Sequence, residues 1–234
     1  MTQHTFTPSF YALRGAVLSA TVLGTLAVGN GATPVYAAPV PNLTFDISAR
    51  VTATGASSGI GAAGQKLQAR VLLHGNRTRI ETTYAGQNSV TLVAPPYIYR
   101  LLPGSKAGVR WKMNGSRAKS FDGLGLDPQD LIRNPGKIRA LLLQNGAKRV
   151  GSSTLGGAAV DVYTLNKPGE QLSNAKAYLR KSDSLPVKLE AEGKGLKVLA
   201  LWSNYARPTD LAASLFRAPQ GYKIRDAKSA PPAF

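Results

Sequence analysis

From residue 43 the chain alternates. Leu43, Phe45, Ile47, Ala49, Val51 and Ala53 are apolar, and Thr44, Asp46, Ser48, Arg50, Thr52 and Thr54 lie between them. A period of two sends successive side chains to opposite faces, so this segment predicts a strand with one apolar and one wet face. Leu67, Ala69, Val71 and Leu73 repeat the pattern after a Gly/Ala/Ser loop over 55–64. His74-Gly75-Asn76 is a turn signal, Arg77 to Tyr84 returns, and Ala85-Gly86-Gln87-Asn88 turns again. Further strands are expected over 89–94, 97–102 and 109–113, with Pro103-Gly104 between the last two. Strands joined by such short turns pair antiparallel.

The middle of the chain changes period. Asp127-Pro128-Gln129-Asp130 before Leu131-Ile132 reads as a helix start, with Asp127 as cap and Pro128 in the first turn. Asn134-Pro135-Gly136 breaks it. Lys137 to Gln144 predicts a second short helix, with Ile138, Leu141 and Leu142 on one side and Asn145-Gly146 as its stop. Strands resume over 148–154, 158–165, 175–181, 186–190 and 196–205. The expected fold class is mainly β (α+β): one domain over 43–226 with roughly ten strands in a strongly curved antiparallel sheet, two short helices covering its concave face. Residues 38–42 read as an extended lead and 227–234 as a disordered tail.

The N-terminal 37 residues change the picture of where this domain works. Arg14 precedes an apolar run from Ala16 to Val28, followed by a Gly/Asn/Pro break and Val35-Tyr36-Ala37. This order predicts a secretory signal peptide over 1–37, cleaved after Ala37. The run is short for a membrane span of about 20 residues. No cysteine follows it, so no acylated N-terminus is expected, and the mature chain is expected in the periplasm or outside the cell.

The whole sequence has no cysteine, which excludes thiol catalysis, cysteine zinc sites and disulfide staples. It carries 29 Lys and Arg against 12 Asp and Glu, a net charge of +17. Outside the cytoplasm the polyanions on offer are phospholipid head groups, glycolipids and wall polymers, each basic residue adding about 1 kcal/mol beside an anionic bilayer. No nucleic-acid-binding motif accompanies the charge, so nucleic acid is not an expected partner. Arg100, Lys106, Arg110, Lys112, Arg117 and Lys119 cluster in one hairpin and its exit with Tyr97, Tyr99 and Trp111 interleaved. They are the candidates for contact with an anionic envelope surface.

Catalytic patterns are weak. No Gly-x-Ser-x-Gly elbow stands at a strand-to-helix turn. Asp161, Asp183, Glu190 and Glu192 fit a solvated face better than a glycosidase pair. The Gly-rich segments 55–64 and 151–157 lack the lysine and helix of a phosphate loop. His74, the one histidine after residue 37, reads as a solvated or capping turn residue and makes no metal site alone. No catalytic residue, metal site or cofactor is expected.

Two segments carry a resemblance. Ala177-Tyr178-Leu179-Arg180-Lys181-Ser182-Asp183-Ser184-Leu185-Pro186-Val187-Lys188-Leu189-Glu190 forms a strand–turn–strand unit. Ser203-Asn204-Tyr205 is followed by Phe216-Arg217-Ala218-Pro219-Gln220-Gly221-Tyr222, a Phe-x-x-Pro-x-Gly closing motif. With the order of elements, residues 43–226 resemble the LolA-like superfamily of periplasmic lipoprotein carriers and envelope-stress regulators. The resemblance implies an open half-barrel whose helices cover an apolar cavity, and a non-enzymatic role in holding a lipid or lipoprotein acyl chain. Phe45, Ile47, Val51, Val71, Ile80, Leu141 and Leu142 are then the candidate cavity residues. A regulatory or structural envelope protein of the same fold, docking on a protein partner, is the alternative. The carriers' helix before the first strand is missing, and His74-Gly75 stands where they have an Arg-Pro pair. The chain therefore reads as a carrier-like lipid binder rather than the lipoprotein carrier itself.

Overall fold

The computed structural model describes residues 42–53, 66–113, 135–166, 172–193 and 195–228. Among these residues twelve strands form a single open sheet. In chain order they are β1 (Leu43–Ala53), β2 (Lys66–His74), β3 (Arg77–Tyr84), β4 (Gln87–Ala94), β5 (Tyr97–Leu102), β6 (Ala107–Lys112), β7 (Lys148–Leu155), β8 (Ala158–Asn166), β9 (Asn174–Arg180), β10 (Pro186–Gly193), β11 (Leu196–Ala206) and β12 (Lys223–Asp226). One helix, α1 (Pro135–Gln144), lies among the described residues. Across the sheet the order is β12-β6-β5-β4-β3-β2-β1-β11-β10-β9-β8-β7. The first and last long strands of the domain thus meet at its centre, β1 lying between β2 and β11.

The meander follows from the turns. His74 pairs with Arg77 around Gly75, whose φ of 57° a side chain resists. The mainly β reading and the open, curved sheet are found as expected. Two details differ. The sheet is mixed, because β12 pairs parallel to β6, and it has twelve strands. The stretch Lys-Ile-Arg-Asp is too short to show a period, so only its neighbour β6 defines it as a strand. Ala227, expected in the tail, donates its N–H to the Arg110 carbonyl at 2.8 Å and packs against the core. The helix expected over 127–133 lies outside the described residues, as do the signal segment and the 55–64 loop.

Odd-numbered positions of β1 and β2 face a common side, here called inner. Phe45 sits opposite Val71, and Ile47 opposite Ala69. The main core forms there from Leu43, Phe45, Ile47, Leu67, Val71, Leu73, Ile80, Val93, Ile98 and Trp111, with Leu185 reaching in from the β9–β10 turn. Helix α1 packs on the β8–β9 part of the sheet through Ile138 and Leu142, against Tyr163, Leu165 and Leu179. Its end is a Schellman motif: Gly146 (φ 83°) donates to Leu143 O and Ala147 to Leu142 O.

The outer face of β3–β6 is sealed by the C-terminal arm. Arg79 holds the arm through Leu215 O at 3.0 Å. Ala218, Tyr222 and Ile224 then cover Val90, Leu92 and Leu101. Gly108 permits this packing, since a Cβ there would come within 2.7 Å of the Leu101 side chain and 2.9 Å of the Arg100 carbonyl.

Candidate functional site

The seven candidate cavity residues divide into two groups. Phe45, Ile47, Val71 and Ile80 are buried in the main core. Leu142 is buried beneath α1 and Leu141 half-buried beside it, in a separate cluster. Val51 belongs to neither and is half-buried farther along β1. The periodicity that selected them reads the face correctly but not the position on it.

Strand register shows what joins the two groups. Val51, Val198, Ala191, Ala175 and Leu165 form one row across five neighbouring strands. Ala49, Ala200, Leu189, Ala177 and Tyr163 form a parallel row beside it. Most of these side chains are short. Ala49, Val51, Val198, Leu189 and Ala177 are half-buried, and Ala175, Ala191, Ala200, Tyr163 and Leu165 are buried. The inner face therefore carries an apolar floor of mostly short side chains running from the main core to α1. Of these positions the sequence reading singled out only Val51. The alanines were legible as alternating apolar positions, but nothing local marks them as a floor.

Two recesses of about 380 Å³ open elsewhere. One is lined by Arg50, Asn174, Lys176, Glu190, Glu192 and Lys197, the other by Asp46, Gln68, Arg70, Glu81 and Asn204. Their alternation places both on the outer face; charged side chains of both signs line them, and Leu199 adds an apolar wall to the first.

The two segments that carried the resemblance meet in space. At Ser203-Asn204-Tyr205 the β1–β11 register shifts, and Asn204 adopts φ 54°. This bulge turns Tyr205 inward. Its ring stacks on Phe45 with centroids 5.4 Å apart, and its hydroxyl donates to Pro186 O at 2.7 Å. Arg180 lies 4.5 Å over the same ring and pairs with Asp183 in the β9–β10 turn. Burial pushes the Tyr205 phenol well above its ordinary range. The markers thus form one clamp between the hairpin and the centre of the sheet.

His74 is more than a solvated turn residue. Its Nδ1 bonds Asn42 Oδ1 at 2.8 Å, and its ring stacks on the buried Phe216 at 5.6 Å. Asn42 in turn donates to the carbonyls of Pro208 and Thr209. The group ties the β2–β3 turn to the C-terminal arm. These partners are far away in sequence, out of reach of local pattern reading.

The basic candidates do not form one patch. Arg100 lies on the inner face 6.0 Å from the centroid of Trp111, and burial lowers its pKa. Arg110 and Lys112 alternate to the outer face. Arg110 is paired with Asp226 at 2.6 Å and lies over Tyr97. Lys106 is exposed at the hairpin tip. Arg117 and Lys119 lie outside the described residues.

The four carboxylates weighed for catalysis have partners of other kinds. Asp183 pairs with Arg180, Glu190 with Lys188 and the Tyr178 hydroxyl, and Glu192 with the Asn174 amide. Asp161 receives Arg149 at 2.9 Å and the Ser152 hydroxyl at 3.1 Å. The Arg149 bond holds the Asp161 carboxyl below the usual carboxylate range against the opposing effect of burial. Gly55-Ala56-Ser57-Ser58-Gly59 spells Gly-x-Ser-x-Gly, but it falls between two strands and outside the described residues.

No protein-family model matches this chain, and no curated protein does. Among solved structures, an uncharacterized conserved protein from Thermus thermophilus matches with a TM-score of 0.53 at 12% identity, covering 80% of this chain and 91% of that one. That likeness is one of fold alone. A LolA superfamily protein from Nitrosomonas europaea aligns over 77% of this chain and 91% of its own at 13% identity, with a TM-score of 0.34. The Mycobacterium tuberculosis lipoprotein LppX aligns over 72% and 89% at 16% identity, with a TM-score of 0.41. Among the described residues no helix is long and apolar enough to cross a membrane.

Proposed function

We propose that this chain is an exported, non-enzymatic binding protein that holds a lipid, a lipoprotein acyl chain or a similar amphiphile against its inner face. The observation that carries this reading is the pair of apolar rows joining the main core to α1. Five neighbouring strands span about 19 Å at the usual strand spacing, room for an extended chain of about a dozen carbons. Burying each methylene gains about 0.8 kcal/mol, so a dozen gain on the order of 10 kcal/mol before ordering costs. Such binding needs shape and apolar surface, not a reacting group. The order of charge, apolar run and small residues in 14–37 supports export, and the net positive charge favours an anionic ligand or envelope surface.

The test is native mass spectrometry and organic extraction of the full chain purified from its own envelope. A stoichiometric co-purifying lipid is the expected result. A chain that arrives empty, takes up no added lipid, and holds tightly to an envelope protein would replace this reading with a regulatory one.

A further inference from the structure

Three cations surround Asp161. Arg149 Nη2 stands 2.9 Å from Oδ1, Lys181 Nζ 3.9 Å from Oδ1, and Arg139 Nη2 3.7 Å from Oδ2. They come from β7, the end of β9 and α1, so three separate elements converge on one point. One carboxylate cannot neutralise three cations, and among the described residues a local excess of two positive charges remains. A network that only fastened the helix would need a single cation for this acid.

Geometry shows the excess to be available. Arg149, Lys181 and Arg139 have side chains 51%, 47% and 38% exposed, while Asp161 is nearly covered at 12%. The acid is the sunken member and the cations form its rim.

Position links this point to the apolar floor. Asp161, Tyr163 and Leu165 are alternate residues of β8 and share a face. Tyr163 and Leu165 are the β8 ends of the two apolar rows. The cations therefore stand at one end of the surface on which a chain would lie, as an anionic head group requires. Arginine suits such a role, because its planar fork binds carboxylate and phosphate oxygens in pairs.

We infer that Arg139, Arg149 and Lys181 form a binding site for a phosphate or carboxylate group, which is the head of the amphiphile held on the inner face. The last clause rests on the function proposed above; the anion site itself does not.

Equilibrium binding to the full chain separates the two. The probes are palmitoyl lysophosphatidylglycerol, monopalmitoylglycerol, which has the same chain and no phosphate, and inorganic phosphate, the lipids kept below micelle formation. The proteins are wild type, the double variant Arg149→Gln/Lys181→Gln, and Asp161→Asn. The anionic lipid should bind about tenfold tighter than the neutral one, the worth of one charge-assisted hydrogen bond. The double variant should lose that preference while keeping its affinity for the neutral lipid. Asp161→Asn should increase the preference, since it removes the competing carboxylate. A purely structural network predicts no such opposite signs. Equal binding of both lipids by wild type would overturn the head-group site and leave the apolar floor standing. Phosphate binding that follows the charge variants, with neither lipid bound, would keep the anion site and overturn the amphiphile. Failure of all three probes would overturn both.

Discussion

The two halves of the sheet are built from the same strands and turns but finished differently. From β1 to β6 large side chains pack on the inner side, on β1 as far as Ile47, and the C-terminal arm lies across the outer side of β3 to β6. From β11 to β7 the inner face carries alanine and valine, one amphipathic helix, and a ring of cations around Asp161. The first half is filled by its own side chains. The second devotes its inner face to short side chains under a helix held by a small cluster. A domain that must be stable without disulfides and still accept a ligand can divide the tasks in this way, since elements that move or bind are drawn from the less stable part of a fold.

The sharpest way to break this comparison is to cut one buried side chain from each half. Phe45→Ala removes a fully buried ring from the main core and its stack with Tyr205, and should cost about 3–5 kcal/mol in denaturant unfolding. Leu142→Ala removes the anchor of α1 and should cost about 2 kcal/mol, the low end for such a change, because its cluster is small. Amide exchange should then speed up in α1 while β1 and β2 stay protected. Equal losses and global exchange in both variants would show one uniform core instead of two unlike halves.

A smaller effect tests the clamp between the halves. Asn204 holds φ 54° and its side-chain amide donates to Asp46 at 2.7 Å. Asn204→Ala should lose about 1–2 kcal/mol from the strained backbone, and Asn204→Gly should lose less because glycine accepts that conformation. The reverse order would remove the bulge from the account of how Tyr205 reaches the core.

The smallest expected effect concerns pH. The Asp161 carboxyl titrates below its ordinary value because Arg149 donates to it. Its contribution to stability is thus complete above the unfolded carboxylate range of about 4 and is lost as pH falls through the lower folded value. Asp161→Asn should lower stability at neutral pH by the small amount the carboxylate contributes there, and flatten the acid limb so that the two curves converge at low pH. A curve that runs parallel to wild type over the whole range would mean that the carboxylate gains nothing from its cations.

Much of this fold is legible in the sequence. Period-two runs mark most strands to within a few residues, and Asn145-Gly146 marks the end of α1. Long-range closure is not legible. The four residues of β12 owe their strand to β6. Arg110 reads as free cationic surface until Asp226, 116 residues on, comes alongside it. His74 reads as a solvated turn until Asn42 and Phe216 enclose it. For the candidate site, alternation shows that Phe45, Val51 and Val71 share a face, but only register separates the packed core from the floor beside it. The cations around Asp161 lie at positions 139, 149 and 181, with no local signal joining them.

Photo-cross-linking tests the central claim most directly. Lysophosphatidylglycerol carrying a diazirine near the end of its acyl chain is bound to the full chain, irradiated and mapped by peptide mass spectrometry. Adducts are expected on inner-face residues at the end of the floor far from the cations, at Ala49, Val51 and Val198. Adducts confined to outer-face positions such as Leu199 and Leu201, or none above those on the denatured chain, would contradict an amphiphile seated on the inner face.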